Sequence, residues 1–192
     1  MELNFDRITG VLGIVLQNPI DVFIYPNLAD YHQTVGRPDM QDWMVGTVID
    51  GAIRMVSPAN PGPAHDFDSM IKVAVHEFVH VLVLELNPTN DRPFLVEGLA
   101  MYLAGQYEFV DVAIRHMLEN FAMPDVDVIM GHDWGAGIYQ AGFAFAKFLA
   151  AEFGYDKLVE LYVTPDVGLV FGMSNDEFNT RWMEFLHTNF GG

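Results

Sequence analysis

Val73-Ala74-Val75-His76-Glu77-Phe78-Val79-His80-Val81-Leu82-Val83-Leu84 is an apolar run interrupted only by two histidines and one acid. Asp66 or Asp68 can cap a helix that starts just before it and runs to about Leu86. Residues four apart differ by about 40° around a helix of 3.6 residues per turn, so His76 and His80 lie on one face, one turn apart. Their rings can converge on a single ion. Glu77 lies about 100° from His76, near enough to reach a water held by that ion without being a ligand itself. A helix so apolar is buried nearly all round, and imidazoles and a carboxylate in such surroundings are costly unless paired or metal-bound.

Ahead of this helix the chain reads as a small sheet. A first helix is expected over Leu3–Gln17, where Ile8, Val11, Leu12, Val15 and Leu16 fall at helical spacing, and Asn18-Pro19 ends it. Ile20–Tyr25 (IDVFIY) reads as a buried strand stopped by Pro26, with a short helix around Leu28–Val35. Trp43–Val48 and Ala52–Val56 flank Asp50-Gly51, a strong hairpin signal because both turn positions accept positive φ. Ser57–His65, with three prolines, is a loop.

Behind the metal helix everything reads as helical. After the loop Asn87–Arg92, Pro93 suits the first turn of a helix reaching about Gln106. Further helices fit Val112–Phe121, Ile138–Phe153, Tyr155–Tyr162 and Asp176–Thr188, with Gly131–Gly137 a loop. Strands first and helices later make the expected class α+β. With 192 residues, a single domain over the whole chain is expected.

A catalytic zinc ion needs a third protein ligand and one open position. Pro93-Phe94-Leu95-Val96-Glu97-Gly98-Leu99-Ala100-Met101-Tyr102 offers Glu97, 17 positions after His80, room for a loop and an antiparallel return. Alone, Glu97 reads equally as a surface acid near a helix N-terminus. Beside the histidine pair it completes a three-ligand set for Zn²⁺. Gly98 allows its helix to pack closely.

Composition narrows the partners. Acids outnumber bases 26 to 9, a net charge of −17, which excludes a free-standing nucleic-acid binder. Apolar residues make up 51% of the chain, enough for a real core. There is no Cys, hence no thiolate ligand or thiol nucleophile. No apolar run approaches the roughly 18 residues of a membrane span. Glu2 and Asp6 precede the first apolar stretch, unlike the basic start of a secretory leader, so a cytoplasmic location is expected.

His76-Glu77-Phe78-Val79-His80 followed by Pro93–Tyr102 resembles the gluzincin metallopeptidases, and most closely the compact peptidase MA-like domain family. Tyr139-Gln140-Ala141-Gly142, with Gly154-Tyr155-Asp156-Lys157-Leu158 at the far end of the same segment, is similar to that family's Tyr-x-x-Gly … Gly-x-x-Lys-Leu pattern. Met173–Phe178 leading to Trp182 and Leu186 is similar to its closing helix. The resemblance covers about residues 20–190 and implies a zincin-like fold. It also implies hydrolysis of a peptide or protein substrate, with zinc on His76, His80 and Glu97 and with Glu77 as general base. Tyr139 is then the donor to the oxyanion, and Met44, Val45, Gly46 and Thr47 form the edge that pairs with substrate backbone. Two departures stand out. No Gly-Ala-Met-Glu sequence precedes the metal helix, so trimming from a free N-terminus is not implied. Met101 stands where thermolysin-like relatives carry Asp. A peptidase-dead binding or scaffold module, or a zinc hydrolase of esters or non-peptide amides, would carry the same ligands.

Overall fold

A computed structural model describes residues 2–108 and 110–191. The class is α+β: a small three-stranded mixed sheet near the N-terminus is followed by a mostly helical region. The chain forms two compact units, one ending at Leu82 and the other starting at Val83.

The first unit opens with α1 (Glu2–Leu12), shorter than the apolar spacing predicts. Gly13 takes φ 65°, the left-handed conformation that ends helices, so Val15 falls outside the helix and is 79% exposed. β1 (Val22–Tyr25), α2 (Leu28–Thr34), β2 (Gly46–Ile49) and β3 (Ala52–Val56) follow. The strand order is β1-β3-β2, with β1 parallel and β2 antiparallel to β3. The hairpin turn is as expected: Asp50 and Gly51 both have positive φ, at 53° and 74°. The expectation of a buried strand at Ile20–Tyr25 is corrected. The strand is Val22–Tyr25, and it lies at the sheet edge, where Val22, Phe23 and Ile24 are exposed. Arg54 covers part of that face, its guanidinium 4.7 Å from the Phe23 ring and donating to the Tyr25 hydroxyl at 2.8 Å.

Ile53 and Met55 project from the other face of β3 and are buried. With Ile8, Leu12, Val73, Phe78, Val79 and Leu82 they belong to this unit's apolar core. Phe5 of α1 stacks on Phe78 at 5.4 Å. α3 (Phe67–Leu86) is capped by Asp66, whose Oδ1 accepts the Ser69 backbone N–H at 2.8 Å, while Ser69 Oγ accepts the Asp66 N–H at 2.9 Å.

The second unit takes in the end of α3 and then α4 (Pro93–Ala104), α5 (Val110–Asn120), α6 (Val126–Ile129), α7 (Ile138–Val163), α8 (Val167–Phe171) and α9 (Asn175–Phe190). Pro93 occupies the first turn of α4 and Gly105, at φ 69°, its end. The two helices expected over 138–162 form one element bent at Gly154, which has φ 79°. α7 and α9 meet in an aromatic core: Phe148 lies within 5.3–5.6 Å of Phe153, Phe178, Trp182 and Phe185. Trp182 Nε1 donates to the Pro124 carbonyl, so the indole is buried without an orphan polar atom. Among the described residues, no helix is long and apolar enough to cross a membrane.

Candidate metal centre

His76 and His80 leave the same face of α3, as their spacing dictates. Their ring centroids are 4.6 Å apart at an interplanar angle of 79°. The two Nε2 atoms face each other at 2.9 Å. Two imidazole nitrogens so placed need a shared proton or a cation between them, because neutral lone pairs repel. Tetrahedral zinc with bonds of about 2.05 Å would set them about 3.3 Å apart, a small relaxation from what is seen. Glu97, early in α4, supplies the third atom: one ligand atom from each of His76, His80 and Glu97 lies within 4.8 Å of the others, a group that could hold a metal ion. Two imidazoles and one carboxylate suit a borderline divalent cation and leave a coordination position over. His80 and Glu97 are half-buried.

Glu77 does not belong to this ligand group. It is 6% exposed and is pressed against β2. A Cβ built on Gly46 would lie 2.7 Å from Glu77 Oε1 and 2.9 Å from Val73 Cγ1. Only glycine lets the strand backbone lie this close to the carboxylate. β2 is at the sheet edge opposite β1, so one of its sides carries no strand among the described residues. Of the four residues expected at this edge, Gly46 and Thr47 lie in β2, opposite Met55 and Arg54. Met44 and Val45 precede it. Val45 is buried and its carbonyl accepts the Val56 N–H, so its side chain is not open to a ligand.

Glu97 is held through the start of α4. Tyr162, fully buried, donates from its hydroxyl to the Leu95 carbonyl at 2.5 Å, and Asn90 Nδ2 donates to the Tyr162 carbonyl at 3.0 Å. Burial pushes the Tyr162 phenol far above its ordinary range, so it remains a donor. Gly98, next to Glu97, meets Gly142 of α7, and a Cβ on Gly98 would sit 2.2 Å from the Gly142 carbonyl carbon. Tyr139 is in the first turn of α7, half-buried, three residues before that contact. The glycine crossing thus carries both Glu97 and Tyr139 on adjoining helices.

The remaining histidines divide. His132 is exposed and pairs with Asp91 at 2.6 Å, and Trp134 is 70% exposed; neither joins the ligand group. His65 Nε2 donates to the Trp43 carbonyl at 2.9 Å. His116 and His187 are exposed. His32 reads in the sequence as a surface residue but is 5% exposed, and its Nε2 donates to the Met44 carbonyl at 3.1 Å, tying α2 to the segment that enters β2. Beside it, Tyr31 is fully buried. A seven-residue helix gives too little periodicity to mark its inner face.

Comparison with protein-family models, with curated proteins and with solved structures yields no match to the chain.

Proposed function

We propose that this protein is a zinc-dependent peptidase. One observation carries the reading: His76, His80 and Glu97 converge on a common point while the neighbouring acid Glu77 stands apart, buried against an edge strand. His76, His80 and Glu97 would hold the ion. Bound there, zinc supplies a Lewis acid that acidifies water and polarises a carbonyl.

The other steps belong to the chain itself. Glu77 takes a proton from the attacking water and returns it to the leaving amine, and its fixed position favours that transfer. The open side of β2, which holds Gly46 and Thr47, offers backbone N–H and C=O groups for an extended peptide to pair with. Tyr139 donates to the oxyanion of the tetrahedral intermediate. The strongly acidic chain favours basic peptides over acidic ones by long-range attraction.

Glu77→Gln and His80→Ala separate metal binding from chemistry. Zinc content and cleavage of a broad peptide library are measured side by side. Glu77→Gln is expected to keep its zinc and lose about 10²–10⁴ in rate. His80→Ala is expected to lose both. Undiminished cleavage by Glu77→Gln, or no cleavage of any peptide by the zinc-loaded wild type, would overturn the proposal.

A further inference from the structure

β3 pairs with one side of β1, and no strand among the described residues pairs with the other. Val22, Phe23 and Ile24 are 45%, 44% and 60% exposed on this open edge. Natural edge strands usually carry a lysine, a proline or a bulge that blocks further pairing. Val22–Tyr25 holds neither residue, and its register with β3 is unbroken.

The backbone decides which residues of β1 are open. The N–H groups of Ile53 and Ser57 donate to the carbonyls of Asp21 and Tyr25 at 2.9 and 2.7 Å. Along a strand the N–H and C=O of one residue point to the same side, and those of the next residue point to the other. Asp21, Phe23 and Tyr25 therefore turn their backbone groups toward β3, while Val22 and Ile24 turn theirs outward. The side chains alternate between the two faces of the sheet. Val22 lies on the core face, where with Phe5, Ile53 and Phe78 it lines a groove of about 740 Å³. Phe23 and Tyr25 lie on the opposite face, in contact with the Arg54 guanidinium. Asp21, two residues before Phe23, falls on that face as well and is exposed. Arg54 has no carboxylate partner among the described residues. The strand thus has an acid at its start and a guanidinium without a carboxylate at its end.

A strand with opposite charges at its two ends is complementary to itself when two copies run antiparallel. We infer that β1 pairs with β1 of a second copy across a two-fold axis at Phe23. In this register Val22 of each copy exchanges both outward hydrogen bonds with Ile24 of the other. An axis at Ile24 would set Val22 against Pro26, which has no N–H, and an axis at Val22 would set Ile24 against Ile20, which precedes the strand. The two Phe23 residues then form a non-hydrogen-bonded pair, the closer kind. Directly opposite residues share a face, so Ile24 of one copy lies beside Val22 of the other and enters the groove against Phe5 and Phe78. Asp21 of one copy comes opposite Tyr25 of the other, next to Arg54. A foreign strand would have to supply the acid and the apolar residue at the same spacing, and a second copy carries both. β2, at the other edge, stays open.

The test is sedimentation equilibrium of the full chain in about 0.15 M salt, which screens the repulsion between two chains of net charge −17 beyond ~8 Å. The wild type is expected to dimerise with a Kd between about 1 and 100 µM, as suits a short interface. Ile24→Lys puts an ammonium into the groove and should weaken association at least about tenfold, with the unfolding midpoint unchanged because Ile24 is exposed. Asp21→Arg sets like charges together and should weaken it about 3- to 10-fold. Cross-linking reads the register. The chain has no cysteine, and the Cα atoms of a non-hydrogen-bonded pair, about 4.5 Å apart, are within disulfide reach. Phe23→Cys should oxidise to a covalent dimer at least about tenfold faster than Leu169→Cys, although Leu169 in α8 is 75% exposed. None of these readouts uses a peptide or a metal, so the result is independent of the peptidase reading. Should Ile24→Lys fail to fold, Asp21→Arg and the cross-link decide. A wild type that stays monomeric up to ~1 mM, association that a folded Ile24→Lys or Asp21→Arg leaves unchanged, or Phe23→Cys that cross-links no faster than Leu169→Cys would overturn the inference.

Discussion

Gly46 and Gly98 both occupy places with no room for a methyl group, yet different neighbours crowd them. A Cβ on Gly46 would meet side-chain atoms, Glu77 Oε1 at 2.7 Å and Val73 Cγ1 at 2.9 Å. A Cβ on Gly98 would meet backbone, the carbonyl carbon and oxygen of Gly142 at 2.2 Å and its Cα at 2.6 Å. Side chains can swing aside at modest cost. The backbone of a buried helix cannot move without separating the helices. Gly98 therefore decides whether α4 and α7 pack at all, while Gly46 decides where one carboxylate comes to rest. The same residue type serves stability in one unit and alignment in the other.

The largest effect is expected from Gly98→Ala. Overpacking usually costs ~1–3 kcal/mol, and a clash with backbone on both sides belongs at or beyond the top of that range. Urea unfolding would show a midpoint lowered to match. The metal should be lost along with it, because Glu97 is the adjacent residue. Retention of wild-type stability would mean that the two helices have freedom to part, and the contrast with Gly46 would collapse.

Gly46→Ala is expected to behave in the opposite way. Glu77 and Val73 can rotate to admit a methyl group, so stability should fall by no more than ~1 kcal/mol. Zinc content should be unchanged, because neither histidine is touched. Peptide cleavage should nonetheless drop between about 10- and 100-fold as Glu77 is displaced. The comparison breaks if Gly46→Ala unfolds as readily as Gly98→Ala, or if it cleaves peptides at the full rate.

Several of these features are legible in the chain itself, and the reason is locality. His76, Glu77 and His80 are read from helical geometry within one turn. Asp50-Gly51 specifies its own turn, and Pro93 its own helix start. Glu97 is legible only because the histidine pair asks for a third ligand. What escapes is what depends on tertiary pairing. Whether β1 is central or at an edge is settled by β3 choosing it as a parallel neighbour, and nothing within Val22–Tyr25 announces that choice. Gly142 is visible as part of a Tyr-x-x-Gly pattern, but not as the residue that meets Gly98. α6 and α8, with four and five residues, are too short for their spacing to register. Tyr31 and His32 escape for a related reason: their burial is decided by the segment around Met44, twelve residues beyond His32.

The smallest expected effect sharpens the comparison at its edges, where each unit closes a helix with the same device in reverse order. On α3 the carboxylate is at the cap, Asp66, and the hydroxyl three residues on, Ser69. On α9 the hydroxyl is at the cap, Ser174, and the carboxylate three residues on, Glu177. The backbone N–H of the partner serine, and then its side chain, hold both acids below their ordinary pKa. A depressed carboxylate contributes stability that is present above its unfolded pKa, about 3.9 for Asp and 4.3 for Glu, and is lost as pH falls through the lower folded value. Asp66→Asn and Glu177→Gln should therefore unfold at slightly lower temperature than the wild type at pH 7. Both groups are exposed, so the differences should be small and should shrink further in high salt. As pH drops below about 4 the wild-type advantage should close, at both caps and in the same window, because the order of the pair does not change the sign of the linkage. A midpoint difference that stays constant down to pH ~2.5 would show that hydrogen-bond geometry, rather than the ionised carboxylate, carries the cap.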